Sequence, residues 1–336
     1  MRLSDVFSGL LSGGSSDESA EKPEIDIKIE GRKGRHNDAD KKRLTGFVNT
    51  IARHSPFGRA VLEDAAKNGY TLVMEDQKGT YGYCDKDVGV IALNPSASDD
   101  MLIATLAHES RHAQQFSRGA ESDFGIYDLK GDVMFSRAME ADADAAATAT
   151  CHEIRINSGN GGPWKEMVED SRTIAMGFAS ATPSLNAPLS DAMLRGAFNG
   201  WYKNISTVES YEQSYIVEEM RNSMKNKEKP MLAYERKTSS EELVNMLCPG
   251  VDGKCYWADN PNVLEDPEKL EIAIETRNVA KTFFNVRQMR EGKAPDPTLD
   301  ELDIRGDLFS KKRRAQDGRA AGSASRLIAQ AKDNQR

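Results

Sequence analysis

The chain is poor in the residues that usually advertise a chemistry or a compartment. Of 336 residues, five are His and four are Cys. Four scattered cysteines do not make a disulfide framework, and the gap between Cys248 and Cys255 in CPGVDGKC is not the CxxC spacing of a zinc knuckle. Free thiols are expected. No apolar run approaches the roughly 20 residues of a membrane span. The opening segment MRLSDVFSGLLSGGSSDESAEKPE is too interrupted for a signal peptide, so cytoplasmic residence is the expectation. An apolar share of 38% is low and a charged share of 29% is high, which suits helical segments with unstructured ends. Positive charge is not in excess either: a net charge of −8 gives no general reason to expect a nucleic-acid partner. The exception is residues 311–336, with eight Lys or Arg against two Asp. There Lys311-Lys312-Arg313-Arg314 could dock on an acidic partner, while a solvated, partly helical tail is the plainer expectation.

Against that scarcity, two of the five histidines fall in one pentapeptide, His108-Glu109-Ser110-Arg111-His112. On a helix, residues four apart share a face, so both imidazoles can address one ion. Glu109 can then act as general base toward the attacking water. Apolar residues at 102, 103, 106, 113 and 116 roughly follow a helical period around the motif, and Ser98-Asp99-Asp100 supplies an N-cap and first-turn acids. Two unrelated histidines on a solvated helix would share the spacing. The apolar context argues against that reading, because buried imidazoles need partners. Arg111 should face elsewhere, in a salt bridge. Cys151-His152-Glu153 only starts like a second copy of the motif. His152 also lies roughly 18 Å along its helix from Glu140, too far to share the site.

A catalytic zinc usually takes three protein ligands and leaves a position open. Residues 133–155 form an Ala-rich, helix-compatible stretch containing Glu140-Ala141-Asp142-Ala143-Asp144. Glu140 and Asp144 share a face, whereas Asp142 is rotated about 200° from Glu140 and should point away. Glu140 is therefore expected to bind the metal and Asp144 to hold the free ring nitrogen of a ligand histidine.

HExxH on one helix with a Glu from a downstream ExxAD helix resembles the gluzincin class of zinc metallopeptidases, near uncharacterised bacterial metallopeptidase domains. The resemblance covers roughly residues 70–155. It implies His108, His112 and Glu140 as ligands of Zn2+, Glu109 as base, Asp144 behind a ligand, and a peptide or protein substrate. It also implies a small sheet beside the motif helix whose edge strand pairs with the substrate. Thr71–Glu75, Thr80–Cys84 and Val88–Asn94 read as three short strands. If the last is the edge, Val90, Ile91 and Ala92 would bind substrate by strand addition, although an ordinary meander fits as well. An oxyanion-stabilising donor is also wanted, and Tyr81, Tyr83, Tyr127, Tyr202, Tyr211 and Tyr215 are equally placed by spacing.

The expected architecture is α+β: a zincin-like core with a three-stranded sheet and the HExxH helix, plus a mostly helical C-terminal extension. Residues 1–39 read as linker, 40–158 as the core, 159–300 as a second helical lobe across a cleft, and 301–336 as a basic tail. Helices are expected near 40–53, 56–68, 164–180, 187–205, 207–227 and 266–290. The expected activity is zinc-dependent peptide-bond hydrolysis, with iron as the other metal such a donor set accepts. The competing reading is a regulatory or interaction protein that keeps a metallopeptidase-like fold without turnover.

Overall fold

A computed structural model describes residues 22–32, 36–120, 123–292 and 302 of the chain. The basic tail and the first 21 residues lie outside that set. The fold is α+β. A short strand β1 (Lys28–Glu30) precedes helices α1 (Asn37–His54) and α2 (Pro56–Lys67). Strands β2 (Thr71–Met74), β3 (Gly82–Asp85) and β4 (Val90–Leu93) follow, and lead into α3 (Asp99–Ser117), which carries the HExxH motif. The 30-residue α4 (Leu129–Ser158) carries Glu140, Asp142 and Asp144.

The sheet has four strands, one more than expected. Lys28–Glu30, within the stretch read as linker, adds parallel to β2. Three residues with two charges carry almost no local strand signal, so only the pairing reveals them. The order is β1-β2-β4-β3, with β2 and β4 parallel and β3 antiparallel to β4. This corrects the edge assignment. Val90, Ile91 and Ala92 pair on both sides, with β2 and with β3, and Ile91 and Ala92 are fully buried. Their backbone groups are committed, and they offer no free edge. The edge beside the motif helix is β3. Gly82 lets it lie close: a Cβ there would stand 2.7 Å from the Ala92 carbonyl oxygen and 2.8 Å from Thr105 of α3.

Sequence signals explain how α3 starts. Ser98 caps it by accepting from the Met101 N–H at 3.1 Å, and Asp99 and Asp100 occupy the first turn. Its apolar stripe, Leu102, Ile103 and Leu106, packs under Leu72, Ile91 and Leu93 of the sheet and against Leu44, Val48 and Ile51 of α1. Helix α4 is buried along nearly its whole length. Alanine at 138, 141, 145, 146 and 149 keeps it thin enough for neighbours to close around it on several sides. It stops at Gly159, whose φ of 75° is the left-handed conformation of a helix C-cap.

The other described residues are mainly helical: α5 (Gly162–Asp170), α6 (Arg172–Ser180), α7 (Asp191–Trp201), α8 (Ile205–Glu212), a π-helical stretch Gln213–Glu218, α9 (Glu219–Lys225), α10 (Ser240–Leu247), α11 (Pro267–Leu270) and α12 (Ile274–Glu291). The stretch expected as one helix over 164–180 is two, broken at Ser171. Helices α6 and α7 pack backbone to backbone, since a Cβ at Gly177 or Gly196 would collide with the other's carbonyl. One apolar cluster extends from Phe57 of α2 through α4 and α7 to Phe283 and Phe284 of α12. All four cysteines are unbridged. Among the described residues, no helix is long and apolar enough to cross a membrane.

In the first turn of α4, Asp132 is fully buried. It accepts the Gly125 N–H at 2.5 Å through one oxygen, while the other has no hydrogen-bond partner. Burial, only partly offset by the Gly125 and Tyr127 N–H groups, pushes its pKa up to about 8. The folded state therefore holds this proton more tightly than the unfolded chain. Its stabilising effect is complete below the unfolded pKa and fades as pH rises toward 8. Asp132→Asn, uncharged at every pH, should match or slightly trail the wild type in melting temperature at pH 5 and exceed it at pH 9. A gap that stays constant across that range would contradict the assignment.

Candidate metal centre and cleft

Helices α3 and α4 run antiparallel, and their contacts step in opposite directions: His108 meets Asp144, Arg111 meets Asp142, and Gln115 meets Met139. That register brings the motif histidines opposite Glu140. Among the described residues, His108, His112 and Glu140 converge, with ligand atoms all within 4.8 Å of one another. The two Nε2 atoms are 3.0 Å apart, and Glu140 Oε2 lies 3.5 Å from the first and 3.6 Å from the second. Donors about 2.0–2.1 Å from one tetrahedral ion would stand about 3.3 Å apart. The triangle fits a single divalent ion held by two imidazoles and one carboxylate.

Each donor is held from behind. His108 Nδ1 lies 2.9 Å from Asp144 Oδ1, leaving Nε2 toward the centre. His112 Nδ1 lies 2.8 Å from Gln115 Oε1. Glu140 Oε1 accepts the Tyr215 hydroxyl at 2.9 Å, which leaves Oε2 for the ion. Tyr215 sits in the π-helical stretch after α8 and stacks on Phe124, ring centroids 4.2 Å apart and nearly parallel at 13°. Asp142 touches none of the three donors; it engages Arg111, Gln115 and Tyr256.

The charges follow from this crowding. Burial would raise the Glu140 pKa, yet the two imidazoles outweigh it and hold the carboxyl far below its usual range. Burial would likewise lower both histidines, and the facing carboxylates, Asp144 for His108 and Glu140 for His112, raise them instead. Loading a metal must displace any proton held between these groups. Glu109 is buried, and burial raises its carboxyl against the pull of His108 and His112. A raised carboxyl pKa suits a group that must take and return a proton.

His108, Glu109 and Asp144 open onto a cavity of about 360 Å³. Gly82, the first residue of β3, and Thr80 and Tyr81 just before it form one wall, and Met167 and Ile174 of α5 and α6 form part of the far side. Tyr211 of α8 also lines it. The Glu140 charge, with burial, holds the Tyr211 phenol well above its usual pKa, so the hydroxyl keeps its proton and can donate. Of the six tyrosines, Tyr81 and Tyr211 line the cavity. Tyr83 donates to Glu75 on the exposed side, Tyr127 and Tyr202 are buried in the core, and Tyr215 is committed to Glu140. Val90, Ile91 and Ala92 do not reach the cavity. His152 is far from the site, neutral and packed: it contacts the Ala187 carbonyl, and burial brings its pKa down to about 4.

Gln115 and Tyr215 escape a motif reading. Gln115 lies three residues beyond His112, hence on its face, and that spacing was the available signal. Nothing local marks Tyr215, which reaches the site from 75 residues away in sequence.

An HExxH helix packed against a helix that supplies a carboxylate as the third donor is a framework suited to metal-dependent hydrolysis. The model of the Putative metallopeptidase family (DUF6782) matches residues 31–258, more than half of the chain, and the chain belongs to that family. No curated protein and no solved structure matches it.

Replacing Glu140 by Ala should abolish stoichiometric metal in the purified protein by mass spectrometry. Asp144→Ala should keep the ion but weaken its affinity roughly 10–100-fold, read by chelator competition. Full retention of metal in Glu140→Ala would exclude this donor set.

Proposed function

We propose that the protein hydrolyses peptide bonds with a divalent ion, zinc by preference, held by His108, His112 and Glu140. The observation that carries this reading is the donor triangle of 3.0, 3.5 and 3.6 Å beside a buried Glu109 that opens onto a cavity. In type the centre is gluzincin-like and the sheet-plus-helix core zincin-like, because the third ligand is a Glu from the second helix. The same donor set accepts iron, but the general base adjacent to a ligand on the same helix favours hydrolysis. The bound ion supplies Lewis acidity toward the scissile carbonyl and acidifies water.

The residues of the chain do the rest. Glu109 takes the proton of the attacking water and returns it to the leaving amine. Tyr211, protonated and lining the cavity, donates to the developing oxyanion. Asp144 keeps His108 in the tautomer that presents Nε2. The substrate is a peptide or protein segment in extended form. Its backbone adds to β3, the edge strand whose first residue, Gly82, walls the cavity, rather than to β4.

On a fluorogenic peptide library, Glu109→Gln should retain one ion per chain and lose at least about 10²-fold in kcat. Wild-type turnover by Glu109→Gln would remove Glu109 as the base, and no turnover by the wild type itself would favour a regulatory protein with a metallopeptidase-like fold. Tyr211→Phe, with the ring kept, should lower kcat roughly 10²–10³-fold with little change in KM. Undiminished kcat there would remove Tyr211 from the mechanism.

A further inference from the structure

We infer that Gln115 and Asp142 are positioning residues for the metal centre, acting in series to fix the tautomer and orientation of His112. The inference rests on the metal-site reading above. Its basis is a complete account of the hydrogen bonds behind that imidazole.

The Gln115 side chain is fully buried and has three polar neighbours. One end of the amide lies 3.0 Å from the Met139 carbonyl oxygen and 2.8 Å from Asp142 Oδ2. A carbonyl can only accept. The Asp142 carboxylate also only accepts, since it already takes Arg111 Nε at 2.6 Å, Arg111 Nη2 at 2.9 Å and the Tyr256 hydroxyl at 2.9 Å. Two acceptors require the NH2 end of the amide to face them. The carbonyl end must then face His112 Nδ1, at 2.8 Å. Because that oxygen cannot donate, Nδ1 must carry the proton, and Nε2 keeps its lone pair for the ion.

Asp142 is what makes the amide orientation unambiguous. Facing Met139 alone, the amide would have one acceptor to satisfy; the carboxylate adds a second, charged one and locks the flip. The carboxylate is itself held. Arg111 grips it through two nitrogens, donates onward to the Pro249 carbonyl at 2.7 Å, and lies over the Phe57 ring, 5.7 Å from its centroid. The series therefore runs from the 249–256 segment through Arg111 and Asp142 to Gln115 and His112. Asp142 faces away from the ligands, so it can act only through its neighbours.

The two histidines are consequently backed by different chemistry. A carboxylate stands directly behind His108, and a neutral amide behind His112, with the carboxylate one residue further out. A second carboxylate in contact with His112 would concentrate more negative charge in a buried site that already holds Glu109, Glu140 and Asp144. The amide supplies orientation without it.

The test uses the full-length chain stripped of metal. It reads Zn2+ affinity by competition with a chromophoric chelator, the d–d absorption of the Co2+ form, and the melting temperature of the apo protein. Gln115→Met keeps length and removes the acceptor. It should weaken Zn2+ binding roughly 10–100-fold and shift the Co2+ spectrum. Gln115→Glu restores an acceptor, with its protonated oxygen donating to Asp142, and should bind Zn2+ much closer to the wild-type value. Asp142→Asn should bind more weakly than the wild type, even though residue 142 touches no ligand. A purely structural role would lower the apo melting temperature while leaving affinity and spectrum unchanged. That result in a folded Gln115→Met overturns the inference. If Gln115→Met does not fold, wild-type affinity and spectrum in Asp142→Asn overturn it instead. Failure of the wild type to bind Zn2+ or Co2+ at all would remove the proposed function, and this inference with it.

Discussion

The fully buried ion pair between Arg111 and Asp142 is the constraint on which the site depends. Taking two charges out of water costs several kcal/mol each, and close geometry with further hydrogen bonds is needed to offset it. Both conditions are met, because Arg111 reaches Asp142, Gln114 and the Pro249 carbonyl, and Asp142 also accepts from Gln115 and Tyr256. A pair this demanding tolerates one alignment of α3 against α4. A slip of one turn would strand a charge in an apolar interior. The alignment it enforces is the one that sets His108 against Asp144 and both motif histidines against Glu140.

A second buried pair does the same for the far wall of the site. Arg137 of α4 meets Glu212 at the end of α8 at 2.6 Å, and Glu212 also accepts the Ala273 N–H at 2.8 Å. This ties α8 to α4 one turn from Glu140 and joins both to the segment before α12. Tyr211 and Tyr215, on either side of that anchor, are thereby brought to the same carboxylate from opposite roles. Tyr215 donates to it, and Tyr211, also hydrogen-bonded to it, lines the cavity. The π-helical stretch that begins at Gln213 follows directly, as expected where a functional side chain must be re-aimed within a continuous helix. The helices after residue 159 are therefore part of the site, since they supply its phenols and much of its cavity wall.

Much of this could be read from local pattern because helices translate spacing into geometry. HExxH places two imidazoles on one face, and Glu140 and Asp144 share another. The Ser98 cap and first-turn acids mark where α3 begins. The strands were harder. Val90-Ile91-Ala92-Leu93 is apolar at successive positions, the signature of a strand covered on both faces and flanked on both sides, and that was evidence against an edge. The more polar Tyr83-Cys84-Asp85 run was the better candidate for one.

By itself the sequence determined which residues of α3 and α4 share a helix face, the α+β class, and the absence of any long apolar run. All are encoded within a few turns of chain. The tertiary structure alone decided which strand is the edge, that β1 exists, that two of six tyrosines, Tyr81 and Tyr211, line the cavity, and that Asp142 reaches His112 through Gln115. Those outcomes depend on strand order, on the register of two antiparallel helices, and on contacts between residues tens of positions apart. No period or propensity records them, because they are settled by which buried charges find partners when the layers close.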